Sequence, residues 1–167
     1  MKIRKNDIFL YGRKMLFQML EILYPRRCAV CDEIEVTGKG ICPLCKDKVH
    51  VAGEPACKKC GKPLVDERKE FCTDCGKKHH VYTQGKAVFV YEGGIRNSMY
   101  RFKYGNKREY AEFYANAAVE KYGVWLNKIK AEVLIPIPMY SRKKRLRGYN
   151  QAEVFARELG RKAGILV

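Results

Sequence analysis

The chain has 167 residues, 47% of them apolar, and its 34 Lys/Arg against 18 Asp/Glu give a formal net charge of +16. That supplies apolar material for one ordinary domain or two small ones, and the charge points to a polyanionic partner: nucleic acid, a phosphorylated ligand or an anionic membrane surface. No run of ~20 apolar residues exists for a transmembrane helix, and the basic start lacks the uninterrupted apolar stretch and cleavage site of a signal peptide, so a cytoplasmic protein is expected.

The charge is uneven: +5 over residues 1–27, +1 over 28–80 and +10 over 81–167. Residues 1–27 read as an amphipathic helix, with Ile8, Tyr11, Met15, Leu16, Met19, Leu20 and Leu23 on one stripe and Pro25 as its stop. The stripe suits packing on the chain's own fold. Flanking Lys2, Arg4, Lys5, Arg26 and Arg27 also suit a membrane-surface helix.

Residues 28–80 hold all eight cysteines, in four C-x-x-C pairs: Cys28/Cys31, Cys42/Cys45, Cys57/Cys60 and Cys72/Cys75. A C-x-x-C turn aims two thiolates at one ion while nearby amides donate to the sulfurs, and two such turns complete the closed tetrahedron of structural zinc. The spacing predicts a double zinc ribbon with two zinc ions. Disulfides and an iron–sulfur cluster are the competing uses of such cysteines. Near-equal loops favour sequential pairing of the four turns; a cross-braced pairing, first with third and second with fourth, also satisfies the spacing. Gly61 and Gly76, each just after a C-x-x-C, suit a left-handed backbone. His79 and His80 read as linker, since eight thiolates already satisfy two ions.

Residues 81–167 alternate strand and helix patterns. Gly85–Tyr91 predicts a strand, Gly93–Gly94 a turn, and Ile95–Tyr104 an aromatic and basic segment. Arg101 and Lys103 in that segment are candidates for phosphate or single-stranded nucleic acid, the aromatics offering stacking surfaces; the same cations could instead lie over Phe and Tyr at a helix edge. Residues 108–126 predict an amphipathic helix, and Glu132–Ile137 a buried parallel strand. A basic loop follows, with Arg142, Lys143, Lys144, Arg145 and Arg147 as candidate phosphate or nucleic-acid ligands. Asn150 joins that candidate set, and it can also cap the next helix, with Glu153 completing a capping box. Ala152, Phe155, Ala156 and Leu159 form that helix's inner face, Gly164 ends it, and Ile165–Val167 begin another extended run.

The stretch IPIPMYSRKKRLRGYNQAEVFARELG, with Arg147, Gly148, Tyr149, Asn150 and Gln151 at a helix start, resembles the signature of the ComF family of competence-associated proteins. Arg101 to Gly105 are similar to that family's aromatic and basic pattern. The resemblance implies an α/β fold: an N-terminal helix and double zinc ribbon, then a type I phosphoribosyltransferase-like parallel-sheet domain. It also implies a role in natural transformation, handling incoming single-stranded DNA with competence or DNA-processing proteins. Intact relatives would use magnesium and phosphoribosyl pyrophosphate. Here the later acidic pair followed by Thr-Thr-Gly, which cradles the ribose phosphate, has no counterpart. The expectation is therefore an incomplete, truncated transferase-like domain over 81–167 with no transfer activity of its own. A zinc-ribbon interaction module with no nucleic-acid role is the remaining alternative.

Overall fold

The computed structural model describes Met19 and residues 23–167. The amphipathic helix expected up to Leu23 lies almost wholly outside the described residues. Six helices follow: α1 (Pro43–Lys46), α2 (Thr73–Lys77), α3 (Gly93–Tyr104), α4 (Tyr110–Lys128), α5 (Ser141–Arg147) and α6 (Gln151–Ala163).

The first knuckles of the two ribbons repeat one another. In each, the residue before the first cysteine bridges antiparallel to the third residue after the second: Arg27 to Ile34, and Ala56 to Pro63. Cys28 N–H donates to the Glu33 carbonyl at 2.8 Å, and Cys57 N–H to Lys62 at 2.8 Å. The residue closing each knuckle is left-handed, Asp32 at φ 68° and Gly61 at φ 75°. The second knuckle of each ribbon instead opens a short helix, α1 or α2. The positive φ expected at Gly76 is therefore absent, because Gly76 sits inside α2 with open space where a Cβ would go.

The first ribbon shares its core with the helices. Ala29 is buried with Ile95 and Phe102 of α3, Tyr110, Ala111, Phe113 and Tyr114 of α4, and Tyr149. Apolar side chains at three- and four-residue spacing put Tyr110, Phe113 and Tyr114 on one face of α4. A Cβ on Gly94 would meet Val30 Cγ1 at 2.8 Å, so the start of α3 lies directly on the first knuckle. Ala115 and Ala118 of α4 pack with Leu159 of α6, beside Val88, Leu134 and Phe155. These small side chains bring the two helices close.

The parallel sheet expected for residues 81–167, and with it the phosphoribosyltransferase-like α/β architecture, is not formed. Extended pairing among the described residues consists of four isolated bridges, with no sheet. Val133 makes a single parallel bridge to Leu166, and Leu134 N–H reaches the Leu166 carbonyl at 2.7 Å. Beyond it Pro136 and Pro138 have no N–H to extend a ladder, and Ile135 and Ile137 are 82% and 79% exposed, so the run is not a buried strand. The Gly85–Tyr91 segment likewise bridges only Val51 to Phe89, antiparallel. Two backbone hydrogen bonds flank that bridge, Ala52 N–H to the Val88 carbonyl at 3.0 Å and Val90 N–H to the His50 carbonyl at 2.9 Å, and α4 ties the pair down: Lys121 Nζ donates to the carbonyls of Ala52 and Ala87, and Tyr122 Oη to Ala87 at 2.8 Å. Residues 81–167 thus form a helical layer packed on a zinc ribbon.

Candidate functional site

Each ribbon gathers its four thiols into one cluster. Cys28, Cys31, Cys42 and Cys45 have all Sγ atoms within 4.8 Å of one another, as do Cys57, Cys60, Cys72 and Cys75. The pairing is sequential, not cross-braced. Four sulfurs about 2.3 Å from a central zinc stand roughly 3.8 Å apart at tetrahedral angles. Cys31 and Cys42 are 3.7 Å apart, and Cys60 and Cys72 3.8 Å. The donor set and spacing fit two structural zinc ions, held by those eight cysteines. Four thiolates leave no open coordination position, so these sites contribute folding energy rather than an activated water.

Local folding prepares the sulfurs. Val30 N–H and Cys42 N–H both reach Cys28 Sγ at 3.4 Å. Burial pushes the Cys28 thiol up, but amides of Cys31, Cys42 and Val30 outweigh it and bring it down to about 7. The same balance acts at Cys57: burial raises it, and amides of Cys72, Cys60 and Lys59 lower it to about 6. Cys45 and Cys75 go the other way, up to about 12, through burial and then the neighbouring thiols. In each ribbon the knuckle amides favour the thiolate form of the first cysteine.

Next to the first cluster lies a network that sequence reasoning missed. Asp32 accepts from Tyr110 Oη at 2.6 Å and from Lys107 Nζ at 2.8 Å. Burial raises its carboxyl, and the Lys107 and Tyr110 hydrogen bonds hold it below the usual range. Its signal was available by superposing the ribbons, since Asp32 stands where the other ribbon has Gly61. Glu35 is a second such residue. Its buried carboxylate accepts from Thr37 Oγ1 and from Thr37 N–H, and from Gly40 N–H at 3.1 Å, tying the hairpin tip.

The basic candidates separate into two groups. Arg142, Lys143, Lys144 and Arg145 are exposed on α5, and Arg147 is half-buried at its end. No acidic residue stands in the first turn of α5 and none of its residues is buried. Lys144 pairs with Glu153 at 3.0 Å. Arg147 donates to Gln151 and lies 4.8 Å over the Tyr104 ring.

Of the remaining candidates, Arg101 and Asn150 have structural partners. Arg101 donates to the Val30 carbonyl at 2.6 Å, tying α3 to the first knuckle, and Lys103 is half-buried on the same helix. Asn150 is buried and uses both ends of its amide: Oδ1 accepts from Ala152 N–H at 3.0 Å and Nδ2 donates to the Ile137 carbonyl at 3.0 Å. The N-cap is present. The capping box is not completed, because Glu153 turns to Lys144 and to Arg157 at 2.7 Å. Gly148 closes α5 at φ 80°, and Tyr149 is buried against Phe102 with its hydroxyl on the Phe102 carbonyl.

Residues 19–76 match the double zinc ribbon domain family. No curated protein and no solved structure matches the chain. No helix among the described residues is long and apolar enough to cross a membrane.

Proposed function

We propose that this chain is a non-catalytic binding protein, in which the zinc ribbons fix a scaffold and α5 engages the phosphates of single-stranded nucleic acid. With the ComF-like signature around Arg147–Gln151, we read the ligand as DNA taken up during natural competence, handled in the cytoplasm beside other competence or DNA-processing proteins. The observation that carries this is α5 itself. Five cations sit within seven residues. Arg142 and Arg145, and Lys143 and Arg147, are like-charged neighbours at helical spacing, which destabilises a helix already too short to persist alone. A polyanion laid on this helix would relieve that repulsion and release counterions from its own backbone. A segment of about 10 Å suits a few phosphates of a flexible strand.

The test is binding of a labelled oligothymidylate to the zinc-loaded protein across a range of salt. Each single-strand phosphate neutralised contributes about −0.7 to the slope of log K against log salt. Replacing Arg142, Lys143, Lys144, Arg145 and Arg147 by Ala should therefore flatten the slope by up to about 3.5. An unchanged slope removes α5 from the interface.

A second reading, a zinc-ribbon interaction module without nucleic acid, is favoured by apolar side chains on the ribbons: Val36, Leu44 and Val65 are all strongly exposed. It requires a protein partner whose binding fails on Leu44→Asp and survives neutralisation of α5.

A further inference from the structure

Helix α3 buries Ile95, Ser98 and Phe102 on its inner face. On its outer face Arg96, Tyr100 and Tyr104 follow one another at four-residue spacing, and all three are exposed. Tyr100 and Tyr104 are 65% and 64% exposed. Their ring centroids are 5.0 Å apart and the planes tilted by 47°. The Arg147 guanidinium, at the end of α5, lies 4.8 Å over Tyr104 and is anchored by Gln151. A staircase of planar groups therefore leads from the middle of α3 to the basic helix.

We propose that Tyr100 and Tyr104, extended by Arg147, form a platform on which nucleobases stack while α5 holds the phosphates of the same strand. This rests on the single-strand reading of α5 and adds where the bases go. The chemistry fits: every base has a π face, so stacking on tyrosine and on a planar guanidinium binds single strands with little regard to sequence. A duplex hides those faces, which makes the platform selective for unpaired strands. Two tyrosines beside cations could also rest on an anionic membrane. A lipid-facing stripe, however, carries Leu, Phe or Trp beside its tyrosines; on α3 the flanking residues are Asn97 and Lys103, and the exposed Leu146 belongs to α5.

The experiment measures the zinc-loaded full chain against three probes: a labelled oligothymidylate, an abasic strand of equal length, and vesicles of phosphatidylserine and phosphatidylcholine. The wild type should bind oligothymidylate more tightly than the abasic strand. Joint Tyr100→Ala and Tyr104→Ala replacement should weaken oligothymidylate binding about tenfold to a hundredfold, with the salt slope and the abasic affinity unchanged. Tyr100→Phe with Tyr104→Phe should keep most of the affinity, because the rings remain. Tyr100→Ala alone leaves Tyr104 under Arg147, giving a milder variant whose loss should be a fraction of the double one. If the double Ala variant binds as the wild type does, or if thymidylate and abasic strands bind alike, the platform is refuted while the α5 reading stands. If the wild type binds neither strand, both fall; capture on vesicles alone, lost in the double variant, would assign the surface to membrane instead.

Discussion

The hydroxyl of Tyr110 donates to the carboxylate of Asp32 at 2.6 Å, across 78 positions of sequence. Asp32 directly follows the zinc-site residue Cys31 and holds the left-handed turn of that knuckle. The first residue of α4 therefore braces the backbone that aims the first pair of thiolates. Groups one step beyond the ligands commonly govern metal affinity.

Tyr110→Phe keeps the buried ring and removes only this donor, leaving Lys107 on Asp32. We expect a stability loss of about 1–2 kcal/mol and roughly tenfold weaker zinc at the first site, with the second site unaffected. A competitive chelator titration that resolves the two ions checks this. Equal weakening at both sites, or none at either, would break the proposed link.

The two zinc sites differ in what surrounds them, although their backbones repeat. Cys28 and Cys45 lie in an apolar cluster with Val30, Ile41 and Val49 that continues into the helical core. The second quartet has no such cluster among the described residues; it meets the rest of the chain through Gly61 packed on Ala87 and the Gln84 side chain on the Lys58 carbonyl. Each site contributes on the order of 10 kcal/mol to folding of its own ribbon. A chelator should remove the second zinc first with the helical circular dichroism nearly intact, and the first zinc only together with the helices. Cys57→Ser should leave α3 to α6 folded, whereas Cys28→Ser should abolish them. Loss of the helical signal in step with release of the second ribbon's zinc, or release of the first ribbon's zinc with the helices intact, would contradict the asymmetry.

What was legible in the sequence was local. The ligands were readable because a C-x-x-C turn carries its chemistry within four residues; near-equal loops favoured the sequential pairing, but the spacing alone also allowed a cross-braced one, and the gathered sulfurs decide it. Gly61 was readable from its place after a knuckle; Gly76 was not, because the second knuckle of each ribbon continues as helix. The stripe of Tyr110, Phe113 and Tyr114 was readable from its period. The sheet was misread because an apolar run such as Val133–Ile137 records its own propensity and not whether neighbours exist to pair with it. The cation count could not separate Arg145, which faces solvent, from Arg101, whose guanidinium is committed to a carbonyl of the first knuckle. Both the missing sheet neighbours and the Arg101 contact concern partners distant in sequence.

Asn150 tests that distinction directly. Its amide caps α6 and also bonds the Ile137 carbonyl, so nothing in its geometry reserves it for a ligand. Asn150→Ala should cost about 1–2 kcal/mol as a lost cap, read as a lower midpoint in chemical denaturation. Oligonucleotide affinity of the folded fraction, and its salt slope, should stay as in the wild type. A reduced slope with unchanged stability would make Asn150 a ligand residue after all.

Glu35 gives a pH dependence with a definite sign. Burial raises its carboxyl, but Thr37 and the amides of Gly40, Thr37 and Gly38 hold it below the ordinary value. A carboxylate depressed in the folded state contributes stability that is fully present above its unfolded value, about 4.3, and lost as pH falls through the folded one. Glu35→Gln keeps the shape but replaces a charged acceptor of the hairpin tip by a neutral one. It should destabilise the zinc-loaded protein by about 1–3 kcal/mol. That difference from the wild type should be constant between neutral pH and about 5.5, because in this window Glu35 is ionised in both the folded and unfolded states. It should shrink only near and below about 4.3, where protonation begins to make the wild-type side chain resemble the variant's. Urea midpoints for the pair, measured with zinc in excess at several pH values, decide the matter. A difference that changed through the neutral range would mean that Glu35 titrates there, and that its hydrogen bonds do not hold it down.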